Sequence, residues 1–209
     1  MINSFKRFYL PFFCILFINV SASGLTLEKT SINLNSPWGI SWQDDQHVLI
    51  TQKSGEIFLI DTINFSQIKI KHNIPSVQYG QGGMLDIISD GNIVWVTCSL
   101  EKNGKHTTAI YRAELSEDRL INEKKIYEAL PYIQSPYHFG SRLEIKGDYL
   151  YASIGERGEG MIAQDTSNSI GSIIRIHKNG DIPIDNPFIE SPDWLPEIYQ
   201  IGVRNPQGM

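Results

Sequence analysis

Three strand-like runs recur along this chain at intervals of about one supersecondary unit, and this recurrence constrains the fold more than any other feature. They are Val48-Leu49-Ile50-Thr51, Val94-Trp95-Val96-Thr97 and Leu150-Tyr151-Ala152-Ser153, each preceded by a turn rich in Asp, Asn or Gly. Their starts at 48, 94 and 150 are separated by 46 and 56 residues. A second strand candidate follows each: Glu56 to Asp61, Thr108 to Ala113 and Ser172 to Ile176. Repeats of roughly 40 to 50 residues built from several short strands mark β-propeller blades, because one small sheet cannot bury both its faces without neighbours. The boundaries predicted are Pro37 to Asn64, Gly83 to Leu115 and Ser141 to Asp181, with Pro196 to Met209 opening a fourth blade. A β-sandwich fits less well, because its turns come every 8 to 12 residues or so and the interval from Gly155 to Ser169 is longer. Lys53-Ser54-Gly55-Glu56 and Lys178-Asn179-Gly180-Asp181 have the composition of tight hairpin turns, in which Gly takes positive φ freely and Asn tolerates it.

The fold class expected is therefore all-β. Propellers close with roughly four to eight blades, so three blades and the opening of a fourth are expected to form part of a ring. Open blade edges of that kind favour self-association.

Lys6 and Arg7 precede an apolar run from Phe8 to Val20 and then the small residues Ser21-Ala22-Ser23-Gly24. This is the layout of a secretory signal peptide over residues 1–22, cleaved after Ala22. The run is shorter than the roughly 20 apolar residues of a spanning helix and contains Pro11, so no membrane span is expected after cleavage. A mature domain of residues 23–209 would then be periplasmic or secreted. Of the two cysteines, Cys14 lies in the leader, which leaves Cys98 with no partner for a disulfide and too few thiols for a zinc site. Cys98 sits in an apolar run and reads as a small buried hydrophobe. Net charge is −5 and no basic stripe is present, so a nucleic-acid partner is not expected.

Polar residues that could carry chemistry cluster in glycine-interrupted loops, where a rigid β scaffold carries binding and catalytic groups. They occur in Gly80-Gln81-Gly82-Gly83-Met84-Leu85, Tyr137-His138-Phe139-Gly140-Ser141-Arg142-Leu143, Ile154-Gly155-Glu156-Arg157-Gly158, Ala163-Gln164-Asp165 and Gly202-Val203-Arg204-Asn205-Pro206-Gln207-Gly208-Met209. Together with Ser36-Pro37-Trp38-Gly39-Ile40 and Asp181 to Phe188, these segments resemble, in order, the motifs of the pyrroloquinoline quinone (PQQ) dependent aldose sugar dehydrogenases, the soluble glucose/sorbosone dehydrogenase family. The resemblance covers nearly all of the chain after the leader and implies a six-bladed propeller, of which this chain would be the N-terminal half.

The resemblance implies roles for four residues. His138 matches the catalytic base that removes the anomeric hydroxyl proton as hydride leaves carbon, a task suited to imidazole near neutral pH. Arg204 matches an arginine that stabilises developing charge on the quinone oxygen, and Gln81, Arg204 and Asn205 match cofactor contacts. Calcium ligands and the basic residues for the cofactor's carboxylates would lie beyond Met209, so the isolated chain is expected not to turn over. The partners implied are an aldose sugar and an external electron acceptor.

Two departures are visible: Tyr137 stands where soluble glucose dehydrogenases tend to have aspartate, and Ser141 where glycine is frequent. Glu156, Asp165 and Asp185 have no calcium-loop spacing and read as turn and surface residues. His47, His72, His106 and His177 carry no matching motif and read as turn or surface residues. The Gly155 to Gly160 segment lacks the lysine and serine order of a phosphate loop. An alternative function is a non-catalytic propeller fragment that binds a saccharide or a protein. A hydrolytic, lactonase-like propeller would need convergent carboxylates on a metal, which the sequence does not offer.

Overall fold

The structure, a computed structural model, describes residues 26–209. The leader expected over residues 1–22, with Cys14, lies outside the described residues. Residues 31–209 form one compact unit.

Among the described residues twelve strands form three four-stranded antiparallel sheets, each a meander in sequence order. The first contains β1 (Pro37–Trp42), β2 (His47–Gln52), β3 (Ile57–Asp61) and β4 (Gln67–Ile70). The second contains β5 (Met84–Asp90), β6 (Ile93–Lys102), β7 (Lys105–Ser116) and β8 (Arg119–Glu128). The third contains β9 (Gly140–Lys146), β10 (Tyr149–Ile154), β11 (Ser172–His177) and β12 (Ile198–Ile201). The propeller-blade expectation is met, and the three recurring runs are the second strands β2, β6 and β10.

Blade boundaries are wider than predicted. The fourth strands β4 and β8 fall outside the predicted boundaries because their sequences, such as Arg119 to Glu128, mix charged residues into an exposed edge. Residues 196–209 also divide differently. Ile198–Ile201 completes the third sheet by pairing with β11, and only the segment after it runs on toward the inner strands, β1, β5 and β9, which pack on one another.

Strand β6 is apolar from Ile93 to Val96 and buried through Ser99 because both its faces are covered there. Val94, Val96 and Cys98 join Leu49, Ile57 and Ile70 of the first sheet in one core, while Trp95 joins Leu143, Leu150, Ala152 and Ile174 of the third in another. Each such aliphatic side chain, fully buried, contributes about 1.5–3 kcal/mol. Cys98 is fully buried and unpaired, and burial pushes its thiol up to about 12, consistent with a packing role.

The inner strands share one device. Each is interrupted by a bulge, at Trp38-Gly39, Leu85-Asp86 and Ser141-Arg142. A bulge leaves backbone groups outside the ladder, and a hydroxyl on the second strand of each sheet collects them. Thr51 Oγ1 accepts the Gly39 N–H at 2.9 Å and donates to the Leu85 carbonyl of the next sheet. Thr97 Oγ1 accepts the Asp86 N–H at 2.8 Å and donates to the Ser141 carbonyl at 3.0 Å. Ser153 Oγ accepts the Arg142 N–H at 2.9 Å and donates to the Pro206 carbonyl at 3.1 Å. Pro206 thus stands where Leu85 and Ser141 stand, so the blade opening expected in the C-terminal segment begins at Asn205-Pro206 and not at Pro196.

Both predicted turns are present, but only that at residues 53–56 joins paired strands, β2 and β3; residues 178–181 make a tight turn that leaves β11 without forming a hairpin. Gln52 N–H reaches the Glu56 carbonyl at 2.7 Å and His177 N–H the Asp181 carbonyl at 2.8 Å, around Gly55 and Gly180 at positive φ. Among the described residues no helix is long and apolar enough to cross a membrane.

Candidate functional site

Loops at the starts of the inner strands converge on residues 138–140. The loop before β9 crosses the loop after β10 so closely that a Cβ on Gly155 would overlap the His138 carbonyl, and one on Gly140 would overlap the Gly155 amide. Glycine at these two positions is what allows the crossing. Gly155 N–H then donates to the Phe139 carbonyl at 3.2 Å, and Arg157 N–H to the His138 carbonyl at 3.2 Å. His138 is held in the left-handed region with φ 52°, and Ser141 has φ 91°, which accounts for the frequency of glycine there.

The expected site residues gather around this crossing. The His138 N–H donates to Gln81 Oε1 at 2.8 Å, so the glutamine of the glycine-rich loop fixes the backbone of the histidine. Asn205 Oδ1 accepts the Gly140 N–H at 3.1 Å and the Gln207 side-chain amide at 3.0 Å. The Arg204 carbonyl accepts the Glu156 N–H at 2.8 Å. The guanidinium of Arg204 is exposed and makes no hydrogen bond or ion pair among the described residues.

The side-chain partner of His138 corrects two readings. Glu156 is only 3% exposed, and its carboxylate bonds Nδ1 of His138 while its other oxygen accepts the Gly160 N–H. It is therefore a buried site residue and not a surface one. Burial raises the Glu156 carboxyl, but the bonds from His138 and from the Gly160 and Gly158 amides outweigh this and hold it below the ordinary 4.5. An ionised carboxylate only accepts, so Nδ1 of His138 is the donor in this pair. Tyr137, at the position where aspartate was expected, is 54% exposed with its ring 6.0 Å from the imidazole. The orientation of His138 comes from Glu156. Sequence offered one signal for it, a carboxylate between glycines immediately after an inner strand. Asp165 and Asp185 are exposed as expected, Asp165 capping a turn at Ser167 and Asp185 pairing with Arg175.

His106 is also not a surface residue. It is 5% exposed and stacks on Tyr79 at 4.1 Å, because the long β6–β7 hairpin folds back under the loop that carries His138. His72 is partly buried, with Nε2 on the Gly55 carbonyl at 2.9 Å, whereas His47 opens β2 with its ring against Asp44 of the preceding turn.

Two cavities flank residues 138–140. One of about 320 Å³ is lined by His138, Glu156, Met161, Gln164 and Arg204 among others, so the expected base and arginine share a wall. The other, about 380 Å³, is lined by Trp38, Lys53, Gln81, Phe139, Asn205 and Gln207. Beside the second lies a buried ion pair in which Arg142 meets Asp86 at 2.8 Å and stacks over Trp38 at 5.1 Å. Burial raises the Asp86 carboxyl to about 6 despite the Leu143 amide and Arg142. No group of three or more His, Cys, Asp or Glu side chains suited to a metal ion occurs among the described residues.

The family model described as glucose/sorbosone dehydrogenase matches residues 34–209, spanning all three sheets and every site residue above. The chain belongs to the glucose/sorbosone dehydrogenase family. It is 31% identical over 196 residues to aldose sugar dehydrogenase YliI of Escherichia coli, covering 88% of this chain and 53% of that protein. Among solved structures it is similar to the apo form of the soluble aldose sugar dehydrogenase of Escherichia coli, with a TM-score of 0.79 and 31% identity over 84% of this chain and 54% of that one. The PQQ-bound aldose sugar dehydrogenase of Streptomyces coelicolor superposes with a TM-score of 0.71 and 25% identity, covering 83% and 52% of the two chains. The chain thus spans about half the length of these relatives.

Proposed function

We propose that this chain provides the proton-accepting wall of a PQQ-dependent site that oxidises aldose sugars to lactones. The observation that carries the proposal is the His138–Glu156 pair opening onto a cavity shared with Arg204. The family match, and relatives that are aldose sugar dehydrogenases, support the substrate class. The PQQ-bound relative supports the cofactor.

The residues present fit such a group. A flat quinone bearing carboxylates needs planar walls, close backbone approach and cations, and the two cavities offer Trp38 and Phe139, Gly140 and Gly158, and Lys53 and Arg204. Gln81, Asn205 and Arg204 are the residues we assign to hold it. When bound, PQQ supplies the hydride acceptor, and the protein contributes orientation and electrostatics. His138 Nε2 takes the proton of the anomeric hydroxyl, Glu156 stabilises the imidazolium that forms, and Arg204 places positive charge at the same wall. Calcium and an external electron acceptor belong to the proposal through the family resemblance alone. Export to the periplasm or beyond belongs to the proposal too, and its support is the layout of residues 1–22. Self-association through the first sheet is supported by Ile40 and Trp42, 62% and 63% exposed on one face, and sedimentation over a concentration series reads it.

Because the chain spans about half of these relatives, the test supplies the C-terminal half of the Escherichia coli relative in trans, with PQQ, calcium and an aldose. The reading predicts aldose-dependent dye reduction that requires PQQ, and little by the 209 residues alone. Sugar binding without PQQ-dependent turnover in the complemented preparation would favour the non-catalytic alternative.

A further inference from the structure

Arg157 is among the largest fully buried side chains and forms no direct ion pair among the described residues, the carboxylate of neighbouring Glu156 acting on it only through space. A buried charge without a counter-ion is costly, and burial lowers this guanidinium to about 10 from its ordinary 12.5, leaving it charged at neutral pH. Three backbone carbonyls satisfy it. Nε donates to Tyr137 O at 3.0 Å, Nη1 to His106 O at 2.6 Å and Nη2 to Ser135 O at 2.6 Å. The Phe139 ring lies 3.6 Å from the guanidinium carbon, a cation–π contact in a dry setting.

These partners share a location. Ser135, Tyr137 and Phe139 alternate through the loop that carries His138, and His106 belongs to the β6–β7 hairpin, which is tied to the same loop by paired amides between His106 and Ile133 at 2.9 and 3.0 Å. The backbone N–H of Arg157 takes the carbonyl of His138 itself. The preceding residue, Glu156, holds the imidazole. Consecutive residues of opposite charge therefore grip His138: Glu156 holds its side chain, and Arg157 holds its carbonyl, the backbone before it and the Phe139 ring after it. Left-handed φ at residue 138 is a conformation that a non-glycine residue keeps only when its surroundings impose it.

We infer that Arg157 is the positioning residue of His138: its buried guanidinium gathers the carbonyls of the 135–139 loop and so sets the imidazole where Nδ1 meets Glu156 at the wall of the cavity. Its consequence for turnover rests on the reading of His138 as the base, but the placement itself does not, and the two are measured separately.

The test uses nitrogen-15 labelled chain and records the His138 ring nitrogens and the exchange of the 135–139 amides. The unaltered chain is expected to show His138 as a single Nδ1–H tautomer, and the Nε–H of Arg157 as slowly exchanging. An Arg157 Nε–H that exchanges at the solvent rate overturns the inference without any variant. In Arg157→Met, and to a lesser degree in Arg157→Lys, the ring signals should move toward a tautomer mixture. Protection of the loop amides should also fall about tenfold or more, while amides of β6 keep theirs. A ring tautomer and loop protection unchanged in Arg157→Met contradict the inference even if the variant melts earlier. In the complemented enzyme Arg157→Lys should lower kcat and leave KM for the aldose unaltered. A normal tautomer shift with unaffected kcat would uphold the placement and count against His138 as the base.

Discussion

Glu156 bonds Nδ1 of His138 from a position 18 residues later in the chain, and the two line the same cavity as Arg204. A carboxylate behind an imidazole fixes its tautomer and stabilises its protonated form. In Glu156→Gln the amide has to replace a charged acceptor, so both the fixed tautomer and the stabilisation weaken. The expected outcome is a fall in kcat of the complemented enzyme by up to the about 10²–10⁴-fold that a general base contributes, with a smaller change in KM. Steady-state kinetics by dye reduction checks it, and kinetics equal to those of the unaltered chain would remove Glu156 from the site.

The hydroxyl of Thr97 joins the bulge of its own sheet to the inner strand of the next, satisfying the Asp86 N–H and the Ser141 carbonyl at once. Thr97→Val keeps the shape and strands both groups. It should cost about 1–3 kcal/mol per unsatisfied group, whereas Thr97→Ser, which keeps the hydroxyl, should cost about 1 kcal/mol for the methyl. Urea unfolding separates the two, and equal stabilities would show that the bridge between sheets contributes nothing.

Asp86 and Glu156 titrate in opposite senses. Asp86 is raised from 3.8 to about 6, so its contribution to stability is fully present below 3.8 and is lost as pH rises through about 6. Glu156 is held below 4.5, so its contribution is present above 4.5 and is lost as pH falls through its lower folded value. The stability difference between the unaltered chain and Asp86→Asn should therefore be larger at pH 3.5 than at pH 7, by on the order of 2–3 kcal/mol. A difference independent of pH would mean that the Arg142 pair cancels the cost of burying this carboxylate.

Export gives a simpler prediction. Protein recovered from the periplasm or medium should begin at Ser23, as read by N-terminal sequencing. A mature protein that retains Lys6 and Arg7 would contradict the leader.

Legibility in the sequence followed burial. The second and third strands of each sheet were readable because both faces are covered, as at Val94-Trp95-Val96, where successive residues enter different cores. The edge strands were not, since Arg119 to Glu128 meets water on one side and mixes charge into its alternation. At the candidate site, motif singles out His138, Gln81, Arg204 and Asn205, and the structure places all four around one crossing. Glu156 and Arg157 escaped because their roles come from a crossing of two glycines far apart in sequence. No periodicity announces such a contact, and charged residues between glycines have the composition of an ordinary turn. His106 was misplaced for a related reason: only the length of the hairpin folds it beneath the site.

The most direct measurement of the central claim is PQQ-dependent, aldose-dependent dye reduction by His138→Ala in the complemented preparation, with PQQ binding followed in parallel by its absorbance. The account predicts that binding persists while turnover falls by about 10²–10⁴-fold. Full turnover by His138→Ala would contradict it.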